Sequence, residues 1–183
     1  MPKKLWEPSK ALIKNSNLFK YEKFVSENYK YNFSGNYKKL LNWSIKNPKD
    51  FWNSIWNYFE IIGIKTNKFE ITKDLINSKF FVNTKLNFAE NILLKNSNQK
   101  AVTFVSENGH REQKSWRELN IDVKKIITFY KKINISEKDR IAAYTPNQIE
   151  TVECFLSASA TGSIWSSCSP DFGVPGFIER FSQ

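Results

Sequence analysis

Ser166, Ser167, Ser169 and Asp171 crowd one short stretch behind the apolar pair Ile164-Trp165. Hydroxyls and a carboxylate this close together can orient a ligand through hydrogen bonds. If the apolar run is a strand of a parallel sheet, they sit just past its carboxyl end, where open α/β sheets bind ligands. The same residues also suit a plain turn, with Pro170-Asp171 redirecting the chain and Asp171 opening a last helical segment over Val174 to Phe181. Both uses are open at this point.

Other chemistry-bearing residues are sparse. Cys154 and Cys168 are too few and too far apart for a zinc knuckle or a redox pair, and buried thiols are the expected state. The single histidine, His110, lies in N-G-H-R, which suits a hairpin turn, so no Ser-His or Cys-His nucleophile pair can be built. No metal site is expected.

The elements that would position the serine-rich stretch form a β-α-β unit. Ile141 to Tyr144 is the first strand. Asn147 can cap a helix with Glu150 at its third position, and Val152, Phe155, Leu156 and Ser159 share one helical face. Gly162 can end that helix before Ile164-Trp165 opens the second strand. Upstream, Ala101 to Ser106, the turn Asn108-Gly109 and Arg111 to Lys114 predict a hairpin. Ser115 and Glu118 form a capping box for a helix with Leu119, Val123, Ile126, Ile127 and Tyr130 on one stripe. That box is scaffold, not catalysis.

The first hundred residues predict helices. Leu18, Tyr21, Phe24 and Val25 recur at helical spacing, followed by Tyr37, Leu40, Leu41 and Ser44. Asn47-Pro48 offers a cap and a first-turn proline to a third helix, with Phe51, Ile55, Tyr58, Phe59 and Ile62 in line and Gly63 to end it. Trp52 and Trp56 widen its apolar face. Of 28 aromatic residues, 14 fall in the first 60 positions. On helical faces they suit packing better than a stacking platform for single-stranded nucleic acid.

Four stretches carry a family resemblance: L-W-E-P-S at Leu5 to Ser9, K-L-N-F-A-E-N-I-L-L at Lys85 to Leu94, S-W-R-E-L at Ser115 to Leu119, and the segment from Asn147 to Gly173. Together they resemble the N-terminal region of acyl-CoA synthetases of the adenylate-forming superfamily. W-S-S-C-S-P-D-F-G at Trp165 to Gly173 points to the acetoacetate-activating branch. The resemblance implies an α/β protein: a helical, acetyl-CoA-synthetase-type extension over residues 1–98, then over 99–183 the start of the adenylate-forming α/β domain. That domain would be truncated and would lack the strands completing its sheet, leaving a sheet edge and apolar faces open.

The complete enzyme would use ATP, magnesium and CoA to convert acetoacetate to an acyl-adenylate and then a thioester. By the same resemblance Ser169, Pro170 and Asp171 match a segment lining the CoA nucleotide site, with Ser169 where relatives carry a stacking aromatic. The family's phosphate loop ending in Pro-Lys, its ribose-binding Asp and its C-terminal catalytic Lys do not occur among these residues. No catalytic role is therefore assigned. A phosphate loop needs closely spaced glycines, and the 6 glycines here come no nearer than Gly173 and Gly176. Inactivity of the isolated chain is expected, its partner being the missing C-terminal remainder of the synthetase. The alternative is a short non-catalytic protein that docks on a full-length synthetase.

Charge narrows the partners. The net charge is +10, all of it in the first hundred residues, with 24 Lys against only 4 Arg in the whole chain. Arginine is the residue that bidentate phosphate or guanine recognition favours, so dispersed lysines predict a solvated surface and no specific nucleic-acid readout. The start M-P-K-K-L-W lacks the apolar core of a signal peptide, and no apolar run approaches the roughly 20 residues that span a bilayer. A cytoplasmic protein with no membrane partner is expected.

Overall fold

The computed structural model describes residues 5–183; the first four residues, on which part of the signal-peptide expectation rests, lie outside the described residues. Two compact units divide the chain, the first ending at Lys85 and the second running Leu86–Gln183.

The first unit holds α1 (Lys10–Asn15), α2 (Asn17–Tyr29), α3 (Tyr37–Lys46) and α4 (Pro48–Tyr58). Serines punctuate it. Ser9 accepts from the Leu12 amide to start α1, while Ser16 ends α1 and accepts from the Phe19 amide to start α2. Tyr21, Val25, Phe33, Leu40 and Trp43 form the core, with Phe24, Tyr29, Phe51, Ile55 and Tyr58 packed against it. Phe33, in the connection between α2 and α3, is fully buried against the Trp43 ring, centroids 5.7 Å apart.

Three expectations for these helices change. In α3 the inward stripe is Leu40 and Trp43, while Tyr37 and Leu41 are exposed. The Trp43 indole, at i+3 from Leu40, packs edge-on against Tyr29 and Phe33. Asn47 precedes α4 but makes no side-chain cap; its amide nitrogen donates to the Trp43 carbonyl, so it closes α3 instead. Helix α4 stops at Tyr58, short of Gly63, because Glu60 takes a left-handed conformation at φ 50°. The apolar face thus ends early, and Phe59 is 63% exposed.

Trp56 is buried. Its ring packs 5.2 Å from that of Phe81, and the Lys65 ammonium lies 5.5 Å from its centroid. Isolated antiparallel bridges, Ile64 to Lys85 and Glu70 to Lys79, fold residues 64–85 back along themselves.

The second unit contains α5 (Phe88–Ile92), β1 (Lys100–Val105), β2 (Arg111–Ser115), α6 (Trp116–Lys132), β3 (Arg140–Tyr144), α7 (Ile149–Thr161), β4 (Ile164–Cys168) and α8 (Gly173–Phe181). Strands β1 and β2 form the expected antiparallel hairpin, and β3 and β4 pair in parallel through α7. The two pairs are separate two-stranded sheets. Both halves of the capping box form: the Ser115 amide donates to Glu118 Oε2 at 2.7 Å, and Ser115 Oγ accepts from the Glu118 amide at 3.2 Å.

Helix α7 ends as expected at Gly162, in a left-handed conformation at φ 75°. Its start differs. Gln148, not Asn147, is the cap position, and no side chain caps it. The Thr151 hydroxyl donates to the Pro146 carbonyl and lies 2.8 Å from the Thr145 hydroxyl, which ties the connecting loop to the first turn. Ala89, Leu119, Val123 and Leu156 make the core. Where α6 and α7 cross, the buried Ser157 hydroxyl bonds the Val123 and Glu153 carbonyls.

The architecture is a helical front followed by the opening part of an α/β domain. No described helix is long and apolar enough to cross a membrane.

Candidate functional site

Parallel pairing fixes the site region. Tyr144 of β3 registers with Cys168 of β4, so both strands deliver their carboxyl ends to one place. The Thr145 amide extends the ladder by donating to the Cys168 carbonyl at 3.2 Å. Side chains alternate across such a ribbon. Trp165 packs against Phe155 of α7, ring centroids 6.3 Å apart, which puts Tyr144, Ser166 and Cys168 on the opposite face with α8.

The four polar residues do not act as one cluster. Ser166 and Ser167 lie within β4 and face opposite sides of the ribbon, whereas Ser169 and Asp171 lie beyond its end. There Pro170–Phe172 forms a 3-10 turn. The Ser169 hydroxyl donates to Asp171 Oδ2 at 2.8 Å and accepts from the Asp171 amide at 3.3 Å. Much of the polar capacity of the segment is thus spent on its own turn. Ser169 is partly buried, and Pro170 and Asp171 are exposed.

Tyr144 fixes this turn from β3, a role the sequence did not signal because Tyr144 stood only as the last residue of an apolar run. Its hydroxyl donates to the Pro170 carbonyl at 2.9 Å, and its ring packs edge-on against Phe177, centroids 5.0 Å apart. Gly173 then turns the chain into α8 at φ 65°. Gly176 allows close packing: a Cβ there would lie 3.1 Å from the Phe172 Cβ. The two neighbouring glycines thus serve a turn and a helix contact, not a phosphate cradle.

A second polar cluster went unnoticed in the sequence. Lys114 of β2 bonds Glu153 of α7 at 2.6 Å and Asp122 of α6 at 2.8 Å, and Lys125 also reaches Asp122 at 2.8 Å. The Glu153 side chain is 5% exposed. Burial alone would lower the Lys114 ammonium, but the hydrogen bonds it donates to Asp122 and Glu153 outweigh it and hold the group above its ordinary value. Hydrogen bonds from Lys114 and Lys125 hold the Asp122 carboxyl low. These groups saturate one another, so the cluster is a staple.

Neither cysteine is in a disulfide. Burial pushes the Cys154 thiol up, and burial with the neighbouring Cys154 pushes the Tyr130 hydroxyl up to about 12. A thiol so disfavoured as thiolate is a poor nucleophile. Cys168 is buried at the strand end, and His110 is exposed in its turn. Among the described residues no group of three or more His, Cys, Asp or Glu could hold a metal.

Comparison with known proteins agrees with this construction. Residues 37–92 match the family model described as acetyl-coenzyme A synthetase N-terminus. Acetoacetyl-coenzyme A synthetase of Rhizobium meliloti is 32% identical over 180 residues, covering 98% of this chain and 28% of the relative. Acetoacetyl-CoA synthetase of Xenopus tropicalis is 34% identical over 186 residues, covering 99% and 27%. The solved acetoacetyl-CoA synthetase of Streptomyces lividans superposes with a TM-score of 0.89 at 24% identity, over 99% of this chain and 29% of that one, which shows a shared fold.

The chain matches coenzyme A synthetases in sequence, residues 37–92 matching their N-terminal family model, and it shares the fold of the solved one. Within that class it matches the acetoacetyl-CoA synthetases. It spans just over a quarter of their length, 28% and 27% for the two relatives above.

Proposed function

We propose that this chain is the N-terminal part of an acetoacetate–CoA ligase. Residues 1–98 would be its acetyl-CoA-synthetase-type extension and 99–183 the opening of its α/β domain. The observation that carries the reading is the match to acetoacetyl-CoA synthetases over 98% and 99% of the chain, through both compact units. The complete enzyme would activate acetoacetate with ATP, release pyrophosphate and let the CoA thiol displace AMP.

The residues here divide unevenly over that chemistry. None fits ATP or magnesium, because no glycine-rich loop offers converging backbone N–H groups. The turn at Ser169, Pro170 and Asp171 can supply one wall of a CoA nucleotide site, held in place by Tyr144. Asp171 is an acid in an exposed position, so that wall offers orientation and not charge neutralisation of phosphate. Ser169 provides no stacking face. The role of the chain is thus to frame the site, and we infer that it has no adenylating activity alone. Its partners are the remainder of the synthetase and, through it, acetoacetate, ATP and CoA. The lysine-rich front gives no grounds for a specific nucleic-acid partner, and a cytoplasmic setting accords with these substrates.

The test is to express the reading frame that contains these residues together with its downstream sequence. Acetoacetyl-CoA and AMP should form in equal amounts from acetoacetate, ATP and CoA. A stop codon followed by unrelated sequence would favour instead a non-catalytic partner of a full-length synthetase, shown by co-purification with one.

A further inference from the structure

The turn Pro170–Phe172 is gripped at both ends. At its first residue the Pro170 carbonyl accepts from the Tyr144 hydroxyl at 2.9 Å and from the Gly173 amide. At its last residue Phe172 lies against α8, its Cβ 3.1 Å from the place a Cβ on Gly176 would take. The Arg180 guanidinium covers the Phe172 ring, 5.2 Å from its centroid. The rings of Tyr144 and Phe177, 5.0 Å apart, join the two grips, and Phe177 continues to Phe181 at 4.8 Å.

Between the grips Pro170 and Asp171 are exposed. A turn that only reverses the chain needs no such bracing, because its own bonds define it: the Ser169 hydroxyl donates to Asp171 Oδ2, and the Phe172 amide donates to the Ser169 carbonyl at 3.2 Å. Fixing it in addition from β3 and from α8 removes conformational freedom before a ligand arrives. Ordering already present in the free protein does not have to be supplied on binding.

We propose that Tyr144 and Gly176 are positioning residues that set the affinity for CoA by holding this turn in its binding geometry. The inference rests on the ligase reading above, in which Ser169, Pro170 and Asp171 wall the CoA nucleotide site. Both residues act through the turn, Tyr144 on Pro170 and Gly176 on Phe172.

Steady-state kinetics of Tyr144→Phe and Gly176→Ala in the full-length product of the reading frame test this. Tyr144→Phe keeps the ring on Phe177 and leaves the Pro170 carbonyl its Gly173 partner, so the fold loses one hydrogen bond at a half-exposed site. KM for CoA should rise about fivefold, the scale of one neutral hydrogen bond, while KM for ATP and kcat move less than about twofold. Gly176→Ala sets a Cβ against Phe172 and should raise KM for CoA by a similar factor. Alanine favours the helix over glycine, so this variant should melt close to the parent, which separates displacement of the turn from loss of fold. A KM for CoA that stays at the parent value in either folded variant, or a KM for ATP that rises in step with it, overturns the positioning role and leaves the ligase reading standing. A parent product without acetoacetate-dependent ATP–pyrophosphate exchange overturns the ligase reading and this role with it.

Discussion

The Lys114 ammonium sits 2.6 Å from the nearly buried Glu153 carboxylate, joining residues 39 apart in sequence and fastening the β1–β2 hairpin to α7. Removing one partner of such a pair leaves a buried charge without compensation, which costs about 3–5 kcal/mol. Lys114→Ala should therefore lower the urea midpoint strongly, whereas Lys125→Ala, on an exposed and flexible partner, should cost under about 1 kcal/mol. The double change Lys114→Met with Glu153→Leu should recover most of the loss. Equal effects of the two single lysine changes would contradict the staple.

The same cluster sets an acid limb to stability. Asp122 is held below the ordinary carboxylate value of about 3.9, so its contribution is present above that pH and is lost as pH falls through the depressed folded value. Lys114 is held above its ordinary value of about 10.4, so its contribution is complete below that pH and is lost only as pH rises through the folded value. Urea unfolding as a function of pH should show a plateau around neutrality, with an acid decline that is shallower in Asp122→Asn. An unchanged acid limb in that variant would remove Asp122 from the account.

Trp56 is 8% exposed and packs on Phe81. Trp56→Ala should cost about 3–5 kcal/mol, as for other large core aromatics. Lys49→Ala, at an exposed position in the first turn of α4, should stay within about 0.5 kcal/mol of the parent. Thermal melts of both variants decide whether α4 carries core.

Both cysteines should resist alkylation in the folded chain. Cys168 is 3% exposed, and burial keeps the Cys154 thiol protonated at neutral pH. A thiol-reactive dye should label them at the rate set by unfolding, and label both quickly in denaturant. Fast stoichiometric labelling of the native chain would show a reactive thiol that the structure does not contain.

Local signals in the sequence carried much of the fold. The capping box at Ser115 and Glu118, the N-G turn, Gly162 and the stripe of α6 each depend on neighbours within a few positions, and each formed as expected, whereas Leu18, Tyr37, Leu41 and Phe59 of the front stripes are exposed. The misplaced features share one cause. Asn47 and Asn147 have the right chemistry for caps, but Asn47 found a better partner in the Trp43 carbonyl, and Thr151 secured the start of α7. The candidate site was legible in position and not in detail. Ser169 and Asp171 did land beyond the end of β4, while the strand pleat separated Ser166 from Ser167. Tyr144 to Pro170 and Lys114 to Glu153 were invisible because they bridge 26 and 39 residues, and nothing in local spacing encodes which strand end meets which helix.

The most direct test of the central claim is acetoacetate-dependent ATP–pyrophosphate exchange, measured side by side on this chain and on the longer product of its reading frame. The account predicts exchange by the longer protein and none by these 183 residues. Exchange by the isolated chain, or a full-length product that exchanges without regard to acetoacetate, would contradict it.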